Sequence, residues 1–151
     1  MQVASRTVIN AYSQVGIETG VNFASPHQLV LLLFDGALSA IANAKLHMSR
    51  KEIAAKGEAI SKAISIIDAG LKASLDDHAG DQIAQNLKAL YEYMGKRLLW
   101  ANMKNSADAL DEVTGLLLEL KGAWEAIGKQ NAPQPEPTNL QNRVASSYGR
   151  I

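Results

Sequence analysis

The sequence predicts an all-α protein: an antiparallel up-down four-helix bundle with a short N-terminal helical segment and a disordered C-terminal tail. Three observations predict it. Only four prolines occur, Pro26, Pro133, Pro135 and Pro137, so more than a hundred residues between the first and second run without a proline. Across that stretch apolar residues recur at helical spacing, and no run of alternating β-branched residues suggests a strand. The periodic stretch divides into four segments of roughly 24 residues, each about 36 Å long as a helix, joined by short polar breaks, which is the pattern of an up-down bundle.

The first helix is expected to begin at Pro26, with Ser25 as N-cap and the proline at the first helical position, where its missing N–H costs nothing. Val30, Leu33, Phe34, Ala37, Ile41, Ala44 and Met48 form its core stripe. A second helix is expected from about Lys51 to Leu75, burying Ile53, Ile60, Ala63, Ile64, Ile67 and Leu71, and "DDHAGD" at 76–81 supplies the turn that stops it. The third follows, with Ile83, Leu87, Leu90, Tyr91, Met94, Leu98 and Ala101 facing inward. Asn105 is the expected cap of the fourth, with Asp108 close to its positive end. That helix buries Leu110, Val113, Leu117, Leu120, Trp124 and Ile127 and is expected to terminate at Gly128. The chain thus divides into an N-terminal segment (1–24), the bundle (25–128) and a polar, proline-broken tail (129–151) that stays disordered or docks weakly. Ile9, Tyr12 and Val15 carry one or two helical turns before the bundle, too short to stand alone.

Composition excludes several classes. Of 151 residues 47% are apolar and 20% charged, with fifteen basic side chains balancing fifteen acidic ones, so no field that would gather nucleic acid or anionic lipid is expected. There are no cysteines, which removes disulfides and thiolate metal sites. The N-terminus lacks a basic region followed by an apolar stretch, and the longest apolar run, Leu29 to Phe34, is six residues. The expectation is a cytoplasmic protein without membrane insertion.

Catalytic chemistry finds little footing. A di-iron bundle needs Glu-x-x-His on two helices, and the sequence has no such motif, so neither metal nor cofactor is expected. His47, in "KLHMSRK", could serve as a phosphotransfer histidine with Lys45, Arg50 and Lys51 to steady a phosphoryl group. The plain alternative is a surface histidine that suits the negative end of its helix. His27 and His78 lie at a helix start and in a turn without partners at catalytic spacing, and the glycines are too scattered to cradle a phosphate.

The informative feature is apolar surface beyond the core. Leu31, Leu38, Ala42 and Leu46 form a second line on the first helix, and Tyr93, Trp100 and Met103 form another on the third, with Lys96 and Arg97 alongside. A bundle helix needs one apolar face, so these stripes imply a covering: the N-terminal segment, the tail or another protein. Trp and Met beside a basic rim suit an amphipathic partner helix.

These are also the residues at which the sequence resembles a known family. "YSQVGIETGVNFASPHQLVLLLFDGALSAI", "AAKGEAISKAISIIDAGLKASLD" and "IAQNLKALYEYMGKRLLWANMKNSADALDEVTGLLLELKGAWEAI" together resemble the bacterial flagellar secretion chaperones that bind flagellin. The resemblance covers roughly residues 10–127, with separate segments agreeing in order and spacing. It implies a small cytoplasmic helical bundle, a monomer or weak homodimer. Such a bundle holds the disordered C-terminal segment of flagellin, consumes no nucleotide, and also meets the flagellar export gate and an anti-sigma factor. It further implies that Tyr12 acts as a lid, that Leu31, Asp35 and Leu38 around "LFDGAL" contact the partner, and that Tyr93 and Arg97 in "LYEYMGKRLL" do so too, with Trp100 and Met103 continuing that stripe. Trp100 stands where the family pattern leads one to expect a polar residue, and the tail beyond Gly128 is long and divergent.

Overall fold

The structure, a computed structural model, describes residues 25–78 and 80–131. Within them run helix α1 (Pro26–Ser49), helix α2 (Ile53–Ser65), helix α3 (Gln82–Lys104) and helix α4 (Ala107–Asn131). The second helix continues beyond Ser65 as a π-helical segment, Ile66–Lys72, and a 3-10 segment, Ala73–His78. No strand occurs among the described residues. Tyr12, with the rest of the N-terminal segment, and the tail after residue 131 lie outside them.

The start of α1 follows its local chemistry: the Ser25 hydroxyl accepts a hydrogen bond from the Gln28 backbone N–H at 3.1 Å, with Pro26 behind it. The predicted stripe on this helix is buried except for Met48, which packs at the core's edge, and Ala40 joins it. By length and composition α1 could cross a bilayer, yet its most apolar face, Leu33 and Phe34 included, is enclosed by protein. α1 packs on α2 and on α4, while α3 packs on α4 and α2. His27 at the start of α1 meets Trp124 near the end of α4, and Lys45 near the end of α1 meets Asp111 near the start of α4.

Several expectations need correction. The second helix does not run as one α-helix to Leu75; its i→i+5 segment turns Ile66, Ile67, Gly70 and Leu71 all inward, a spacing that a regular α-helix would spread more widely. A Cβ at Gly70 would stand 2.9 Å from Leu33 Cδ2, so any side chain there would have to push the buried end of Leu33 aside. Ile53 and Ile83 are 74% and 73% exposed; both sit in the first turn of their helices, where neighbours no longer cover the predicted face. Lys56 and Ala84 are the buried residues instead. Asn105 is not the cap of the last helix. It closes α3 in the left-handed conformation (φ 51°), which Asn tolerates, and Ser106 caps α4 by accepting from the Ala109 N–H at 3.1 Å. Nor does Gly128 end α4, which runs on to Asn131, and Ile127 is exposed.

Gly128 has another task. His27 stacks on the Trp124 indole with centroids 4.9 Å apart, its Nε2–H donating to the Trp124 carbonyl at 2.7 Å while Trp124 Nε1–H donates to the His27 carbonyl at 3.0 Å. A Cβ on Gly128 would overlap the imidazole ring at Cε1 and Nε2.

Two outcomes follow. Gly115, where a Cβ would meet nothing within 4 Å, should accept alanine with a gain of about 0.5–1 kcal/mol, whereas Gly128→Ala should lose about 1–3 kcal/mol by overpacking, both read by thermal or urea unfolding. Burial pushes the Tyr91 hydroxyl up to about 12 from its ordinary 10. The unfolded chain therefore ionises first, and stability should fall as pH rises from about 10 towards 12. A Tyr91→Phe variant should flatten that fall in unfolding measured across the range.

Candidate partner-binding surface

At about 100° per residue, Tyr93, Leu99, Trp100 and Met103 cover the face of α3 opposite its buried Tyr91, Met94, Leu98 and Ala101. Trp100 is 43% and Met103 70% exposed. The Lys104 ammonium sits 5.5 Å from the Trp100 ring centroid, one helical turn on, and Lys96 is exposed on the same face. This is an apolar patch flanked by two lysines, with Leu99 as a member that the three-residue stripe omitted and with Lys104 where the sequence suggested Arg97, which is turned to Glu112.

The stripe on α1 divides. Leu31 and Leu38 are half-buried, Leu38 packing against the core, while Ala42 and Leu46 are exposed. Two ion pairs locate the half that matters: Lys121 to Asp35 and Lys45 to Asp111, both 2.7 Å. Each step forward along α1 matches a step back along α4, so Leu38 lies level with Leu118, which is 52% exposed. Beside Leu118 the surface of α4 is shallow, because Gly115 and Gly122 have no side chain and nothing within 4 Å of where a Cβ would stand. Leu31, Leu38 and Leu118 thus line a seam between α1 and α4.

α4 also carries the polar link to α3. The Glu112 carboxylate accepts from Arg97 Nε at 2.8 Å and from the Tyr93 hydroxyl. The bond from Tyr93, then that from Arg97, holds the Glu112 carboxyl below its ordinary value, and the same bond holds the Tyr93 hydroxyl above its own. On the other seam, hydrogen bonding to Asp35 raises the Lys121 ammonium. Asp35 and Arg97 are therefore already engaged within the chain. The structure does not join the two apolar stripes into one groove; they flank α4 on either side. Leu118, Glu112 and Lys121 escaped the sequence reading because only the register of α4 against its neighbours picks them out.

His47 Nδ1 lies 2.7 Å from Glu52 Oε1 across the α1–α2 turn, where Lys51 takes a positive φ of 58°. Its carboxylate neighbour belongs to the turn, and the ring is half-exposed.

Comparison with known proteins gives a consistent answer. A family model described as flagellar protein FliS matches residues 8–131. The chain is similar to the flagellar secretion chaperone FliS of Salmonella typhimurium, 55% identical over 119 residues, which cover 79% of this chain and 88% of the relative. It is 48% identical over 115 residues to the flagellar secretion chaperone FliS of Escherichia coli, covering 76% and 85%. The likeness to the flagellar secretion chaperone FliS of Vibrio cholerae is 36% over 144 residues, covering 95% and 98%, and so reaches past residue 131. Phosphotransfer through His47 gains no support from these likenesses.

The Glu112 network sets a sign for pH. A depressed carboxyl contributes stability above its ordinary value and loses it as pH falls through the lower one. In a carboxyl NMR titration Glu112 should titrate below the exposed glutamates, and Tyr93→Phe should move it back towards them.

Proposed function

The chain belongs to the FliS family of flagellar secretion chaperones, and on that premise we propose that it is a cytoplasmic export chaperone that binds the disordered C-terminal segment of flagellin, prevents its premature polymerisation and so supports filament assembly. It acts by stoichiometric sequestration, as an antiparallel up-down bundle that is a monomer or weak homodimer. The observation that carries the reading is the apolar surface left outside the core: Trp100 and Met103 on α3, with Leu31, Leu38 and Leu118 in the α1–α4 seam. A well-buried anchor contributes about 1.5–3 kcal/mol, and ordering a disordered partner costs on the order of 2–5 kcal/mol. Three to five anchors are needed on that arithmetic, and these two surfaces offer about that many.

Flagellin's apolar side chains would enter the seam and lie along α3, wrapping past α4 rather than filling one groove. Arg97 would exchange Glu112 for a client carboxylate, and Asp35 would keep the seam's register through Lys121. Tyr12 would serve as the lid that the client displaces. The export gate and an anti-sigma factor are further partners that the family resemblance supports.

Flagellin lacking its C-terminal segment should show no 1:1 complex in calorimetry; retained affinity would refute the proposal. Leu38 touches the core, so surface probes discriminate better: Met103→Asp and Trp100→Ala should each weaken the complex about 10-fold or more, as expected for an anchor worth about 1.5–3 kcal/mol, with unfolding midpoints unchanged.

A further inference from the structure

The family match ends at residue 131, and twenty residues follow it: "APQPEPTNLQNRVASSYGRI". Wound as a helix at about 100° per residue, Leu140, Val144, Tyr148 and Ile151 fall within about 80° of arc, while Arg143 and Arg150 share one flank. We propose that residues 140–151 dock as an amphipathic helix in the seam between α1 and α4, over Leu31, Leu38 and Leu118, and compete there with the client. The competition rests on the reading of that seam given above; the docking does not.

Place, reach and charge support this occupant. α4 ends at Asn131, beside the start of α1 where His27 stacks on Trp124, so the segment leaves from one end of this seam. Leu118 lies thirteen residues back along α4, about 20 Å. The eight residues 132–139, three of them proline, span up to about 25 Å at about 3.1 Å per residue, and the twelve that follow make a helix of about 18 Å. Gly115 and Gly122 leave the floor open for it.

Charge then chooses between the two apolar surfaces. The outer face of α3 presents Lys96 and Lys104, which repel Arg143 and Arg150. The seam presents the exposed Glu125 carboxylate seven residues beyond Leu118, while its other two carboxylates, Asp35 and Asp111, are already paired with Lys121 and Lys45. A tail that occupies the seam in about 70–90% of molecules lowers apparent client affinity about 3- to 10-fold.

Because the chain has no cysteine, Ser146→Cys in the full-length protein gives a single site for a spin label on the side of the segment away from its apolar stripe. Amide signals of residues 31–38 and 115–122 should broaden, and Val144→Asp with Tyr148→Asp should abolish the effect. Broadening over residues 93–103 instead, no localised broadening, or broadening only between mixed labelled and unlabelled molecules would overturn the proposal, the last by naming a second copy as occupant. The double variant should also bind a flagellin C-terminal peptide about 3- to 10-fold more tightly, and unchanged affinity would overturn the competition. If the broadening is present but neither chain binds flagellin peptide, the docked tail stands and the client reading falls.

Discussion

The closeness of the helix axes is the constraint on which the rest depends. Seven of the buried apolar residues are alanine, among them Ala37, Ala40 and Ala44 on α1, Ala63 on α2 and Ala101 on α3. Where Leu33 reaches the second helix it meets Gly70, and a Cβ there would stand 2.9 Å from Leu33 Cδ2. Small residues at the contacts let backbones approach and leave an interior that fills quickly. Long side chains of α3 that face this interior, Met94 and Leu98, fill it completely, while Leu99, Trp100 and Met103 lie on the opposite face of the same helix and stay outside. The surplus apolar surface is thus set by register.

Polar ties complement that packing. α4 is held to α1 by two ion pairs and to α3 by Glu112, each at a half-exposed rim where such pairs contribute modestly but fix register. Lys56 is different, because only 4% of it is exposed. Its ammonium donates to the Asn102 carbonyl and to Asn105 Oδ1. A buried cation is tolerated only with such acceptors, and Asn105, left-handed at the end of α3, supplies one of the two. α2 is thereby anchored to the start of the last hairpin.

How much of this was legible in the sequence depends on how far each signal reaches. Ser25 and Pro26 announce the start of α1 through bonds made within four residues, and the structure keeps them. The central stripes of all four helices were also readable, since any helix buried on one side repeats near 3.6 residues. Ile53 and Ile83 broke the pattern because periodicity carries no information about where a neighbouring helix stops. Asn105 and Ser106 are both good caps, and only the backbone angle at Asn105 separates their roles. Gly128 read as a terminator because its real contact, His27, is a hundred residues away. For the candidate surface, Tyr93, Trp100 and Met103 were visible as apolar residues without a core position. Leu118 and the acids around it were not, because their meaning lies in the alignment of α4 with α1.

The stacked His27 and Trp124 rings have a mechanical corollary. They bring the first helix and the last together at the same pole of the molecule, so a pull on the flanking segments acts across that contact instead of along the helix axes. Load applied in this direction peels α1 from α4 one turn at a time, beginning with the imidazole and the indole, and never has to shear the whole interface at once. A load between those two ends would therefore reach the imidazole–indole contact before it reached the buried interior.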